Sequence, residues 1–212
     1  MKIDLHLHTH PRSQCSYINP ANLVAEAKKI GLDGICLTEH QVLWDEDAVK
    51  ELIGDSDLKI FRGNEITTAQ GDVLVFGLEK DIQGIITIQE LQQEVQAAGA
   101  YSILAHPFRG FKTFGISDLQ MSVDQACKKK ALQYVNAVEI KNGKVSPNDN
   151  EMARKVAEKL KLPGTGGSDA HNLDDIGTYV TVFEQDIQDE SQLVEALHAG
   201  IFDVAEGKSG ET

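Results

Sequence analysis

The sequence is short of cysteine, of positive charge and of long apolar runs. Three cysteines in 212 residues, Cys15, Cys36 and Cys127, lie far apart. They are too few for a disulfide framework, and this usage fits a reducing, cytoplasmic compartment. No run approaches the roughly 18 apolar residues of a membrane-crossing helix. The opening Met-Lys-Ile-Asp-Leu-His lacks the apolar core of a secretory signal. Lysine and arginine number 20 against 33 aspartates and glutamates, for a net charge of −13. Such a surface repels phosphodiester backbones, which disfavours nucleic acid as a partner. A small anion is a different case, because bound cations neutralise part of the acid and draw it in.

What is present is a regular alternation of elements. Strands are expected at 2–8, 34–38, 59–65, 73–78, 101–105, 137–141, 162–166 and 179–183. Helices are expected at 20–30 (capped by Asn19, stopped by Gly31), 45–53, 87–99, 117–132, 147–160 and 191–199. Strand–helix alternation repeated about seven times favours parallel strands with crossover helices, hence an α/β fold. One domain over residues 1–206 accounts for the chain. The small, polar stretch Gly207–Thr212 is expected to fray.

Seven histidines stand out, and six of them (His6, His8, His10, His40, His106, His171) fall at or just past a predicted strand end. In a parallel α/β barrel the carboxyl ends of the strands form the functional face. His6 and His8 point the same way on a strand, roughly 6–7 Å apart, while Ile3, Leu5 and Leu7 are expected to point the other way. Alone, the pair reads as well as a solvated strand end as it does as a metal grip. Glu39-His40 alone reads better as an exposed loop entry. Glu65 closes an apolar strand and could bridge two ions through its two oxygens, or lie on the surface. His106 emerges from the apolar run Ile103-Leu104-Ala105, so a satisfied core histidine is the competing reading. Arg109 follows it and could fork onto a phosphate or carboxylate. The most specific segment is Gly166-Gly167-Ser168-Asp169-Ala170-His171. A plain turn explains the glycines, serine and aspartate but gives no reason for the histidine. Oxygen and nitrogen donors without thiolates suit Mn²⁺, Zn²⁺ or Fe²⁺.

Taken in order, His6-x-His8, Thr38-Glu39-His40, Glu65, Ala105-His106-Pro107 and Ser168-Asp169-Ala170-His171 resemble the PHP (polymerase and histidinol phosphatase) family, in its small stand-alone form. The resemblance implies a distorted (β/α)7 TIM-like barrel holding two or three divalent ions. It implies His6, His8, Glu65 and Asp169 around one ion, Glu65 bridging to a second with His106, and His40 and His171 at a third. Asp72 stands where many members carry a histidine, and is expected at the second ion. Where relatives place a third-ion ligand in the first loop, this chain has Ser13, Gln14 and Cys15. His10 or Cys15 is a substitute, although a buried apolar cysteine is the more natural reading of Cys15. Glu39 is expected to orient a ligand imidazole. Asn142 faces either the pocket or a turn before Gly143. Glu65, His106 and Asp169 are the expected catalytic set, working with a metal-activated hydroxide.

The function implied is phosphoesterase action on a small phosphorylated metabolite or nucleotide, with Arg109 orienting the phosphate. Lys112 and Lys141 are candidates for a further clamp, and Phe108, Phe111 and Phe114 either stack a ring or pack their loop. A metal-dependent amidohydrolase is the alternative, since the same donors serve C–N bonds. A nuclease or proofreading module suits the acidic charge poorly, and a non-catalytic metal-binding role leaves so many ligands unexplained.

Overall fold

The computed structural model describes residues 1–110 and 121–208. Its strands are β1 (Lys2–Leu7), β2 (Gly34–His40), β3 (Lys59–Thr68), β4 (Gly71–Phe76), β5 (Tyr101–Leu104), β6 (Ala137–Asn142), β7 (Gly164–Gly167), β8 (Val180–Phe183) and β9 (Phe202–Ala205). Its α-helices are α1 (Pro20–Lys29), α2 (Glu46–Ile53), α3 (Ile88–Ala98), α4 (Val123–Ala126), α5 (Pro147–Leu160) and α6 (Glu190–Ala199). All nine strands join one sheet in the order β7-β6-β5-β4-β3-β2-β1-β8-β9. The sheet curls back on itself, and the chain just after β7 meets β1: Leu7 bridges Ala170, and the Asp169 amide donates to the His6 carbonyl. The fold is α/β, with a nearly closed, barrel-shaped sheet.

Local chemistry explains the helices. Asn19 accepts from the Ala21 amide at the start of α1. Thr87 and Glu90 form a reciprocal capping box on α3. Gly99 and Gly200 end α3 and α6 in the left-handed conformation. Three apolar clusters surround the sheet. One fills the barrel, with Ile3, Leu5, Phe61, Phe76, Tyr101 and Ile103, and α6 seals its lower end with Leu193, Ala196 and Leu197. The other two lie outside, under α3 and α5 and under α1 and α2. Burying one such side chain contributes roughly 1.5–3 kcal/mol.

Three expectations are corrected. The sheet is mixed: β4 runs antiparallel to β3 and β5, β8 to β1, and β9 to β8. The helix expected over 117–132 is α4 followed by a 3₁₀ turn at Lys130–Gln133, with residues 111–120 outside the described residues. The first two residues of the tail expected to fray are held, with the Lys208 amide donating to the Gly177 carbonyl and Gly207 buried, and residues 209–212 fall outside the described residues.

Candidate metal centre

The centre is built at the mouth of the barrel. β1 carries a bulge: Asp4 pairs Ile35 and Leu7 pairs Leu37, so β1 spends one residue more than β2. Leu5 therefore packs inside the barrel and Leu7 outside it, which corrects the expectation that both share a face. The extra residue lets His6 follow Leu5 inward, and His6 and His8 are both fully buried. Opposite them, β3 brings up Glu65 and β5 brings up His106. The turn after β7 supplies Asp169 and His171. His106 and Asp169 both hold positive φ, at 27° and 53°. Such backbone strain in non-glycine residues concentrates at functional sites. Gly167 makes room, because a Cβ there would lie 2.6 Å from the His6 Cβ and 3.0 Å from Glu139 Oε1.

The donors converge. His6 Nε2 lies 3.2 Å from His8 Nε2, 3.5 Å from Glu65 Oε1 and 3.7 Å from Asp169 Oδ1. His8 Nε2 lies 3.3 Å from Glu65 Oε2 and 3.5 Å from Asp169 Oδ1. An ion gripping two donors at about 2.0–2.2 Å in tetrahedral geometry sets them roughly 3.3–3.6 Å apart. The four side chains fit a cation. His106 Nε2 stands 2.9 Å from Glu65 Oε1, and His40 Nδ1 stands 3.0 Å from Glu65 Oε2. Glu65 thus touches both neighbouring histidines, as a bridging carboxylate must. Among the described residues three donor groups result: His6, His8 and Asp169; His6, Glu65 and His106; His8, His40 and His171.

The surroundings fix the ligands. His6 Nδ1 meets Glu139 Oε1 at 2.9 Å, and the other Glu139 oxygen accepts from the His106 amide at 2.8 Å. A carboxylate behind a ligand imidazole sets its tautomer and orientation. Sequence reasoning missed Glu139, although an acid inside the apolar strand Ala-Val-Glu-Ile signals a buried charge that needs partners. It also missed Ser13, whose Oγ donates to Glu39 at 2.5 Å and lies 3.4 Å from His8 Nδ1. Glu39 reaches a ligand only through Ser13. Its other donors are Thr9 and the Trp44 indole. Asn142 lies beside the cluster and also bonds within its own turn. It donates to Glu139 at 2.9 Å and to Asp169 at 3.2 Å, and its oxygen accepts from the Lys144 amide.

Other candidates stand apart. His10 is exposed. Cys15 is exposed rather than buried, since it lies in a surface turn of the first loop. Among the described residues neither joins a donor group, and nor does the partly buried Asp72. Arg109 pairs with Asp169, so its guanidinium already lies against the cluster. Lys141 lies over the Tyr179 ring, 5.2 Å from its centre. Phe108 is buried in the packing under α3 and α5, whereas Phe111, Lys112 and Phe114 fall outside the described residues.

Electrostatics match a site made for cations. Burial disfavours a charged His6, but the charges of Glu139, Asp169 and Glu65 outweigh it and hold the imidazole well above its ordinary value. Burial likewise opposes charge on His8, and its bonds to Asp169 and Glu65 raise it. Glu65 and Asp169 resist burial in turn, and the facing histidines hold both well below the carboxylate range. For His171 burial wins and lowers it. The protein surrounds its carboxylates with positive charge, which protons supply on imidazole and which a divalent ion would supply more strongly.

The PHP domain family matches residues 4–142, and the PHP-associated family matches residues 147–201. The chain belongs to the PHP family. Together with the donor set, PHP membership supports a metal-dependent hydrolase. A relative from Methanocaldococcus jannaschii, the uncharacterized protein MJ1587, is 26% identical over 117 residues, or 51% of this chain and 68% of its own. Among solved structures, a two-domain Bacteroides vulgatus protein, described as containing a predicted PHP-like metal-dependent phosphoesterase, shares 21% identity at a TM-score of 0.71. The match covers 97% of this PHP chain and 64% of that protein. An amidohydrolase from Chromobacterium violaceum, solved with sulfate and without metal, shares 12% identity at a TM-score of 0.66 over the full length of both. At these identities the likeness is one of fold. Among the described residues no helix is long and apolar enough to cross a membrane.

Proposed function

We propose that this chain is a metal-dependent phosphoesterase acting on a small phosphorylated substrate. His6, His8, Glu65 and Asp169 would hold one divalent cation. Glu65 with His106 would serve a second, and His40 with His171 a third. Bound there, Mn²⁺, Zn²⁺ or Fe²⁺ would stabilise charge on a phosphoryl group and lower the pKa of water. The protein's own groups do the rest. Glu139 holds the His6 ring and the His106 backbone in place. Asp169 and Glu65 stay ionised through the working pH range.

The observation that carries the reading is Arg109 against Asp169. With Asp169 engaged on an ion, the Arg109 guanidinium beside the cluster would be free to turn to substrate. Its planar fork then suits two phosphoryl oxygens. An amide substrate, which the alternative amidohydrolase reading requires, has no such pair of anionic oxygens.

The test pairs metal analysis by mass spectrometry, on protein purified without chelator, with hydrolysis of 4-nitrophenyl phosphate in added Mn²⁺. Bound ions and chelator-sensitive hydrolysis are expected. Bound metal with hydrolysis of amides and not of phosphate esters would transfer the chain to the amidohydrolase reading. Failure to bind any metal would end both.

A further inference from the structure

The Asp72 carboxylate stands at the barrel mouth without a partner among the described residues. Because β4 is antiparallel to β3, its amino end lies at the end of the barrel where Glu65 emerges. Leu74 and Phe76 pack into the barrel interior, and Asp72 shares their side of the strand. Its carboxylate is partly buried, yet among the described residues it takes no hydrogen bond or ion pair. It lines a cleft of about 240 Å³ together with Gln70, Gly71, His106, Arg109 and Lys129. Lys129 is partly buried. It donates to the Pro107 carbonyl, and its ammonium lies 4.8 Å from the centre of the Phe108 ring. Burial draws that ammonium below the usual lysine value.

The cleft thus adjoins a metal ligand and offers one carboxylate acceptor beside two cationic donors. A bare phosphate would suit the cations and be repelled by Asp72. An apolar leaving group would leave the Asp72 carboxylate desolvated without a partner. A group carrying hydroxyls next to negative charge satisfies the whole set, since a hydroxyl donates to the carboxylate while the cations donate to the anion. The volume lies below the roughly 300–1,000 Å³ of drug-sized sites, which suits a single sugar or polyol unit. We propose that this cleft reads the hydroxyl-bearing part of a sugar or polyol phosphate, with Asp72 as the hydroxyl acceptor that sets specificity. The proposal rests on the phosphoesterase reading, and it assigns Asp72 to the substrate instead of to the second ion.

Asp72→Asn separates the two roles. With ribose 5-phosphate and 4-nitrophenyl phosphate as probes, the variant is expected to lower the ratio of their kcat/KM values tenfold or more, chiefly through KM for the sugar phosphate. Metal content per chain should equal that of the unaltered protein. Loss of metal, or an equal change for both esters, would overturn the proposal. Calorimetric titration of ribose 5-phosphate into both Mn²⁺-loaded proteins decides the matter even if neither ester is turned over. Weaker binding by the variant supports the subsite and leaves only the phosphoesterase reading to fall. Equal binding, or none by the unaltered protein, overturns the subsite.

Discussion

Glu139 is the side chain on which two ligand histidines converge, at 2.9 Å from the His6 ring and 2.8 Å from the His106 amide. Glu139→Gln keeps the shape but puts an amide, with one oxygen in place of two, against an N–H on either side. Partners of this kind typically contribute 10–100-fold in metal affinity, so a loss of that size is expected in competition with a chelating dye. Unchanged affinity would remove Glu139 from the metal chemistry. Arg109 makes a different prediction, because it pairs with a ligand and not with the scaffold. Arg109→Ala should raise KM for phosphate esters well above any effect on a neutral ester assayed alongside, with bound metal retained. A matching rise for both substrates would deny it a phosphate role.

At the scale of elements, legibility in the sequence followed chemistry that is local in the chain. The cap of α1 was readable from Asn19, because its partner lies two residues away. His106 stood out because it emerges from Ile103-Leu104-Ala105, and Asp169 and His171 because a plain turn gives no reason for the histidine after Gly166-Gly167-Ser168. What escaped needed partners far along the chain. The β1 bulge depends on pairing with Ile35 and Leu37. The direction of β4 escaped for a different reason, since the tight return between Thr68 and Gly71 that sets it is local in the chain. Glu139 acquires meaning only beside His6, 133 residues away. Gly167 belongs to the same class, since the space it leaves is filled by β1 and β6. Gly167→Ala should therefore destabilise the protein by about 1–3 kcal/mol, as overpacking does, and should also weaken metal binding. Thr87→Ala removes a cap worth about 1 kcal/mol on a surface helix and should leave metal content intact. Equal loss of metal in both variants would mean that the centre reports general stability and not its own packing.

For the molecule as a whole, the closed sheet gathers the carboxyl groups of Glu65, Glu139 and Asp169 into one buried place. Without a cation, the charge gathered there is balanced by protons on His6 and His8, whose values are raised in the fold. A raised histidine stabilises the fold fully below its ordinary value of about 6.5. That contribution fades as pH rises through the higher folded value. The metal-free protein should therefore become less stable between pH 6 and pH 8. Metal binding runs the other way, because the ion must displace those protons and binds more tightly as they leave. At a free ion concentration a hundredfold above Kd the gain is about 2.7 kcal/mol, or about 5–10 °C in Tm for a chain of this size. Melting in Mn²⁺ and in chelator should show a gap that is wider at pH 8 than at pH 6, with the chelated protein falling as pH rises. A gap of constant width would mean that ion and protons do not compete, and that the cation binds somewhere other than between His6, His8, Glu65 and Asp169.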